Sequence, residues 1–392
     1  MEECQRPRDS PNPPAHAPGI DPAGLATSPA LTAAGAIAAA ATAYALESSP
    51  SNLVALQRAV EPPRQELFRR LNVAPGATGA LVDLRRRLLR DLKKHPDWVG
   101  VDADLEHLFG SWFNRGFLRL ERIDWRTPAL ILEKLIEYEA VHAITGWKDL
   151  HRRLASDRRC FAFFHPALPE EPLIFVEAAL TERIATTVAP LLDPTAPEFD
   201  SSRADCAIFY SITNCQDGLR GISFGNMLIK QVVAELGREF PRLKTFATLS
   251  PIPGFSSWLA GIRRNPPDGL PDLACLDEPD WFENPKVAER MREPLMGLCA
   301  YYLTAVKRND EPLDPVARFH LGNGARMEKL NWLADTSRTG MQRSAGMMVN
   351  YLYRLGDVEE NHEAFVREHE VVASHELRKH ARDSLLARKS SR

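Results

Sequence analysis

Ser250 stands in Leu249-Ser250-Pro251-Ile252-Pro253-Gly254-Phe255, where prolines stiffen the chain just beyond the hydroxyl. Proline at 251 biases Ser250 toward an extended backbone, and Pro253 with Gly254 sets the turn that follows. A serine held this way presents its hydroxyl with little reorganisation, although an ordinary strand-ending serine would read the same. His320 lies in Ala317-Arg318-Phe319-His320-Leu321-Gly322-Asn323-Gly324-Ala325. A lone histidine in such a mixed segment is more often structural than catalytic, but an imidazole near pKa 6.5 suits proton transfer at neutral pH. No second histidine, cysteine or carboxylate stands near it at metal-ligand spacing, so no metal is expected. The histidines from His362 to His380 sit among charges and read as solvated surface.

A third candidate is Arg220-Gly221-Ile222-Ser223-Phe224-Gly225-Asn226, between a strand and an amphipathic helix. A helix N-terminus leaves amides unpaired and partly positive, glycines let backbone approach an anion, and Arg220 adds a formal charge. A phosphate loop and a plain tight turn fit these residues about equally. The same stretch spells Gly221-x-Ser223-x-Gly225, the nucleophile-elbow pattern of serine hydrolases, with His320 downstream. An elbow needs a strand running directly into its first glycine, and the polar turn Asn214-Cys215-Gln216-Asp217-Gly218 stands there instead.

The elements that must hold these residues divide the 392-residue chain in two. Residues 1–45 read as a disordered or loosely helical extension, with the Ala-rich run Leu31–Leu46 as a helix. That run is too short for a membrane span and too far from the start for a typical signal peptide. Residues 46–148 read as an all-helical domain: Glu61-Pro62-Pro63 opens one helix, Leu81, Leu84, Leu88 and Leu92 form the apolar stripe of another, and Thr127-Pro128 starts a third. No strand is expected among them. Residues 149–392 read as a mixed α/β domain with a charged tail. Its expected strands are Cys160–His165, Pro172–Leu180, Asp205–Thr213 and Thr245–Ser250, its amphipathic helix is Phe224–Phe240, and the chain beyond Asp314 is expected to be helical.

Composition narrows the function classes. Apolar residues make up 44% and charged residues 26%, with a formal net charge of −3, so nothing global favours nucleic acid or a membrane surface. The six cysteines are scattered and never form a C-x-x-C pair, which fits reduced thiols better than a disulfide scaffold or zinc knuckle. The chain ends Lys389-Ser390-Ser391-Arg392, not in a peroxisomal Ser-Lys-Leu, and a cytoplasmic location is the expectation.

Residues 220–226 resemble the CoA-pyrophosphate loop of GNAT-fold proteins, Gln/Arg-x-x-Gly-x-Gly/Ala, with Ser223 in place of the middle glycine. A wider likeness follows. Phe117-Leu118-x-Leu120-Glu121-Arg122, Phe209-Tyr210-Ser211-Ile212, Arg220–Asn226, Leu228-Ile229-Lys230, Phe246–Phe255, Ala317–Ala325 and Ser344-x-Gly346-x-Met348-Val349-Asn350-Tyr351-x-Tyr353 follow one another as in malonyl-CoA decarboxylases. The resemblance covers roughly residues 46 to 365. It implies an α+β chain of two domains: a helical one used for tetramer assembly as a dimer of dimers, and a GNAT-like one that decarboxylates malonyl-CoA without an external cofactor. It also implies active-site roles for Ser250, His320, Tyr353 and Ser211, and CoA contacts from Arg220, Gly221, Ile222, Ser223, Phe224, Gly225 and Asn226. Some relatives carry glutamate where Ser223 stands, so that carboxylate's role does not transfer. The rival readings are a CoA-dependent acyltransferase on the same fold, a serine hydrolase centred on Ser223, and a CoA-responsive binding protein without turnover.

Overall fold

The computed structural model describes residues 30–222 and 228–387. The chain forms two compact units: one of residues up to Phe113 with Gln216–Ile222, the other of Asn114–Cys215 with the residues from Ser223 onward.

The first unit is helical, with α1 (Ala30–Leu46), α2 (Pro50–Val60), α3 (Pro63–Leu71), α4 (Ala77–Asp91) and α5 (Val99–Trp112). Ser49 caps α2 by accepting from the Asn52 amide, and Pro50 sits in the first turn, where its missing N–H costs nothing. The expected stripe on α4 is real: Leu81, Leu84 and Leu88 are buried. Arg85 is buried between them and is neutralised by Asp102 at 2.8 Å. Its Nη1 also donates to the carbonyls of Gly218 and Arg220, at 3.0 and 2.8 Å, which ties Gln216–Ile222 to this unit. A Cβ on Gly218 would lie 2.0 Å from the Val82 carbonyl oxygen, so glycine is required there.

In the second unit an eight-stranded sheet has the order β1-β2-β3-β4-β5-β10-β6, with β9 also on β10. Its strands are β1 (Arg119–Ile123), β2 (Arg158–His165), β3 (Leu168–Thr181), β4 (Cys206–Asn214), β5 (Thr245–Thr248), β6 (Ser250–Pro251), β9 (Arg326–Asn331) and β10 (Met348–Tyr353); β7 (Lys307–Arg308) and β8 (Glu311–Pro312) form a separate ribbon. Every pairing in the large sheet is antiparallel except β4 with β5, giving a mixed α+β domain. The helices are α6 (Ala129–Tyr138), α7 (Trp147–Arg153), α8 (Ala189–Leu192), α9 (Leu228–Glu239), α10 (Phe255–Arg264), α11 (Pro285–Ala305), α12 (Pro315–Gly322), α13 (Arg338–Ser344), α14 (Val358–Glu368) and α15 (His375–Asp383).

Three expectations need correcting. The helical domain expected over residues 46–148 stops earlier, because residues 114–148 belong to the sheet-bearing unit. Within them β1 pairs with β2, Arg119↔Phe164 through Ile123↔Cys160, so a strand does interrupt the helical pattern. Its sequence Arg-Leu-Glu-Arg-Ile hides it, because charges suit an exposed edge strand and mask the alternation. The chain after Asp314 is not helical throughout: β9 and β10 lie there, and β10 is buried at every residue. A strand buried on both faces carries no period-two signal.

Candidate active site

The site begins where two parallel strands part. β4 and β5 pair from Cys206↔Thr245 to Phe209↔Thr248, and the Leu249 amide still donates to the Phe209 carbonyl at 2.9 Å. On its other side β5 pairs with β10, and the chain keeps that register into β6, with Val349↔Ser250 and Met348↔Pro251. The end of β4 is left facing a cleft of about 250 Å³ whose lining includes Val141, Ser211, Ile212, Ser250, Val316 and His320. The proline after Ser250 removes a donor at the break, as the sequence suggested.

His320 is brought in by α12. Asp314 caps that helix, its Oδ1 accepting from the Val316 and Ala317 amides at 3.0 and 2.9 Å, and Pro315 occupies the first turn. The helix ends because Gly324 takes φ +78° where a Cβ would strike the Val358 carbonyl, and the chain turns into β9. His320 is thereby held in the last turn, 3% exposed, with its ring stacked on Tyr351 at 4.4 Å.

Both imidazole nitrogens are engaged. Nε2 lies 3.1 Å from Ser250 Oγ, and Nδ1 lies 2.8 Å from the Tyr353 hydroxyl. Ser250 donates its own proton to Thr248 Oγ1 at 2.8 Å, so its oxygen is left to accept from Nε2–H. Nδ1 must then accept from Tyr353. The donor count therefore fixes a chain running from Tyr353 through His320 and Ser250 to Thr248. Burial supports it chemically: it pushes the His320 pKa down to about 3, keeping the ring neutral, and raises the Tyr353 phenol, keeping it protonated. Thr248 is anchored in turn, because Oγ1 also accepts from the Tyr351 amide at 3.1 Å. Asn350 donates to the Thr248 carbonyl at 2.7 Å and to that of Ala185 at 3.0 Å.

Ser211 lies on β4 and lines the cleft, but it belongs to a different cluster. Its hydroxyl donates to Glu139 Oε2 at 2.7 Å, as does Thr213 at 3.2 Å. Arg220, Gly221 and Ile222 lie in the helical unit. Gly221 has φ +84°, which only glycine adopts easily, and Arg220 is exposed and paired with Asp217 at 2.8 Å. Ser223, Phe224, Gly225 and Asn226 lie outside the described residues. The turn before them is a short 3₁₀ segment, Asp217–Leu219, rather than a strand, and His320 is committed to Ser250 and Tyr353. Both facts weigh against a hydrolase elbow at Ser223.

Comparison with known proteins shows the family. Residues 33–113 match the malonyl-CoA decarboxylase N-terminal domain, and residues 116–391 match the malonyl-CoA decarboxylase C-terminal domain. The chain belongs to the malonyl-CoA decarboxylase family. The mitochondrial malonyl-CoA decarboxylase of Rattus norvegicus is 36% identical over 354 residues, 82% of this chain and 72% of that protein. The crystal structure of malonyl-CoA decarboxylase from Rhodopseudomonas palustris superposes with a TM-score of 0.82 at 53% identity, covering 88% of this chain and 86% of that one. The one from Agrobacterium vitis gives 0.81 at 52% identity, covering 89% and 87%.

Around this candidate site, sequence reasoning missed Thr248, Asn350, Tyr351 and Glu139. Thr248 and Tyr351 each stand two residues from a recognised partner, Ser250 and Tyr353, and hence on the same strand face. That spacing is a usable signal once the strands are known. Glu139 has none, because it reaches Ser211 across 72 residues of sequence.

Proposed function

We propose that this protein is an enzyme that decarboxylates malonyl-CoA to acetyl-CoA and CO₂. The observation that carries the reading is the hydrogen-bonded chain from Tyr353 through His320 to Ser250 at the cleft, in a member of this family. In the reaction the bond between the carboxylate carbon and C2 breaks. Its electron pair moves into the thioester as an enolate, and a proton must then reach C2. The thioester is itself the electron sink, so the chemistry calls for no external cofactor.

Ser250 holds the His320 ring in place by accepting from Nε2–H, and His320 delivers the proton. The free enzyme holds His320 neutral, and a neutral imidazole flanked by a phenol is a poor acid. The substrate supplies what is missing. A carboxylate about 4 Å from the ring stabilises the imidazolium by about 4 kcal/mol at an effective dielectric constant of about 20. That is close to a thousandfold in protonation, enough to bring the pKa from about 3 to about 6. Malonyl-CoA then binds together with a proton, which passes to C2 once CO₂ has left. None of the described residues lining the cleft is lysine or arginine.

By the same resemblance, Arg220 and the backbone of residues 221–226 take the CoA pyrophosphate. The helical unit serves assembly into a tetramer, a reading supported by the exposed Leu46, Leu53, Val54 and Val60 on and beside α2; light scattering on the purified protein measures it. Among the described residues no helix is long and apolar enough to cross a membrane. A cytoplasmic location is part of the proposal.

The decisive test is incubation with malonyl-CoA alone, with no acyl acceptor, following acetyl-CoA by chromatography. Turnover without acceptor establishes the decarboxylase and removes the acyltransferase. Tight binding without product would favour the CoA-responsive binding protein.

A further inference from the structure

Glu139 ends α6 and is 5% exposed, beside a cleft whose chemistry does not call for it. Its Oε1 accepts from the Val141 and His142 amides at 2.8 and 2.9 Å, and its Oε2 from the Ser211 and Thr213 hydroxyls at 2.7 and 3.2 Å. Arg153 fixes the same loop from the other side, donating to the His142 carbonyl at 2.7 Å. Every donor around the carboxylate is thus consumed, and two of the residues it holds, Val141 and Ser211, line the cleft.

We infer that Glu139 is a positioning residue that makes Ser211 a hydrogen-bond acceptor for the first amide N–H of the substrate's pantetheine arm. This rests on the decarboxylase reading. The Ser211 proton points into Glu139, as does that of Thr213, whose Oγ1 also lies 3.2 Å from Ser211 Oγ; with both protons committed to the carboxylate, the Ser211 oxygen keeps a lone pair for the cleft and has no proton to give. It cannot donate to a thioester oxygen without breaking a charge-assisted bond in a buried place, where such bonds are strong. A CoA ester has one amide N–H two carbons from its sulfur, which is the donor available to such an acceptor near the reacting group.

The experiment uses Glu139→Gln, nearly isosteric, whose amide oxygen can keep the loop N–H bonds while its NH₂ faces the hydroxyls. That turns Ser211 into an acceptor already filled, with its own proton released. Three substrates separate the outcomes: malonyl-CoA, malonyl-N-acetylcysteamine, which keeps the first amide, and S-butyl malonyl thioester, which lacks it. The expected result is a kcat/KM roughly tenfold lower for the first two, the size of one lost neutral hydrogen bond, and unchanged for the third. Ser211→Ala should reproduce that pattern, and adding Glu139→Gln to it should cost nothing more. Equal losses on all three thioesters, or additive losses in the double variant, would overturn the proposal. Should Glu139→Gln fail to fold, Ser211→Ala alone decides, since a penalty independent of the amide overturns it equally. If wild-type protein turns over none of the three, it is the decarboxylase reading that has failed instead.

Discussion

The Tyr353 hydroxyl stands 2.8 Å from Nδ1 of His320, on the opposite side of the ring from Ser250. Because Ser250 gives its proton to Thr248 and accepts from Nε2–H, the buried phenol, which keeps its proton, donates to Nδ1 and holds the single N–H of the neutral ring on Nε2, facing Ser250. Tyr353 thus acts on the chemistry through the tautomer of His320. Removing it with Tyr353→Phe leaves Nδ1 without a donor and frees the ring to exchange tautomers. We expect kcat to fall by about ten- to a hundredfold, with KM for malonyl-CoA little changed, in steady-state kinetics. A rise in KM with normal kcat would place Tyr353 in ground-state binding instead.

Ser250 and His320 should each carry most of the turnover. Ser250→Ala removes the oxygen that accepts from Nε2, and His320→Asn removes the proton carrier. General acid catalysis is commonly worth about 10²–10⁴-fold, and a loss in kcat of that order is expected for His320→Asn. Near-normal turnover in either variant would remove that residue from the mechanism.

Thr248 tests whether the serine must be anchored. It is fully buried and its Oγ1 accepts from both Ser250 and the Tyr351 amide. Thr248→Val preserves the shape and leaves both donors unsatisfied. Stability should fall by about 1–3 kcal/mol, read from urea unfolding, and kcat should fall with it because the Ser250 proton is free to turn toward His320. Unchanged kcat in a folded variant would show that the Ser250 rotor does not matter.

How much of this was legible beforehand follows from where the information resides. The stiff loop after Ser250 and the Asp314-Pro315 start of α12 are local, and both are written in residue order. The juxtaposition of Ser250 with His320 is not, since 70 residues separate them and the pairing of β5 and β6 with β10 sets the strand beside the tyrosines that hold the imidazole. Family likeness supplied that pairing; periodicity could not, because β10 is buried on both faces and β1 is charged on its edge. The His320 pKa is hidden from the sequence for a related reason. An ordinary value near 6.5 belongs to a solvated ring, and burial in the folded site brings it to about 3.

That depressed pKa has a consequence for stability. Between about pH 6.5 and about pH 3 the unfolded chain binds a proton at His320 that the folded chain refuses, so stability is full above pH 6.5 and is lost as pH falls through that window. The loss from this residue is at most about 5 kcal/mol. His142, whose pKa burial also lowers, adds in the same direction. His320→Gln should therefore flatten the fall in urea midpoint between about pH 7 and about pH 5, whatever it does to stability at neutral pH. An unaltered pH dependence would mean that His320 is not held neutral.

The absence of lysine and arginine among the described cleft residues makes the last prediction. Val316 lines the cleft one helical turn before His320 and on the same face of α12, so Val316→Lys would place a cation beside both the imidazole and the substrate carboxylate. Such a cation would stabilise malonyl-CoA before CO₂ leaves and gain nothing afterwards, when the charge has moved into the thioester. It would also oppose the protonation of His320. Binding energy realised more in the ground state than in the transition state lowers kcat. We expect KM to hold or fall while kcat drops by about tenfold or more, with Val316→Met as the control for bulk. A kcat equal to that of the Met variant would mean that the carboxylate leaves from a part of the cleft that the 316 side chain does not reach, and a higher one would mean that decarboxylation here needs a counter-charge after all.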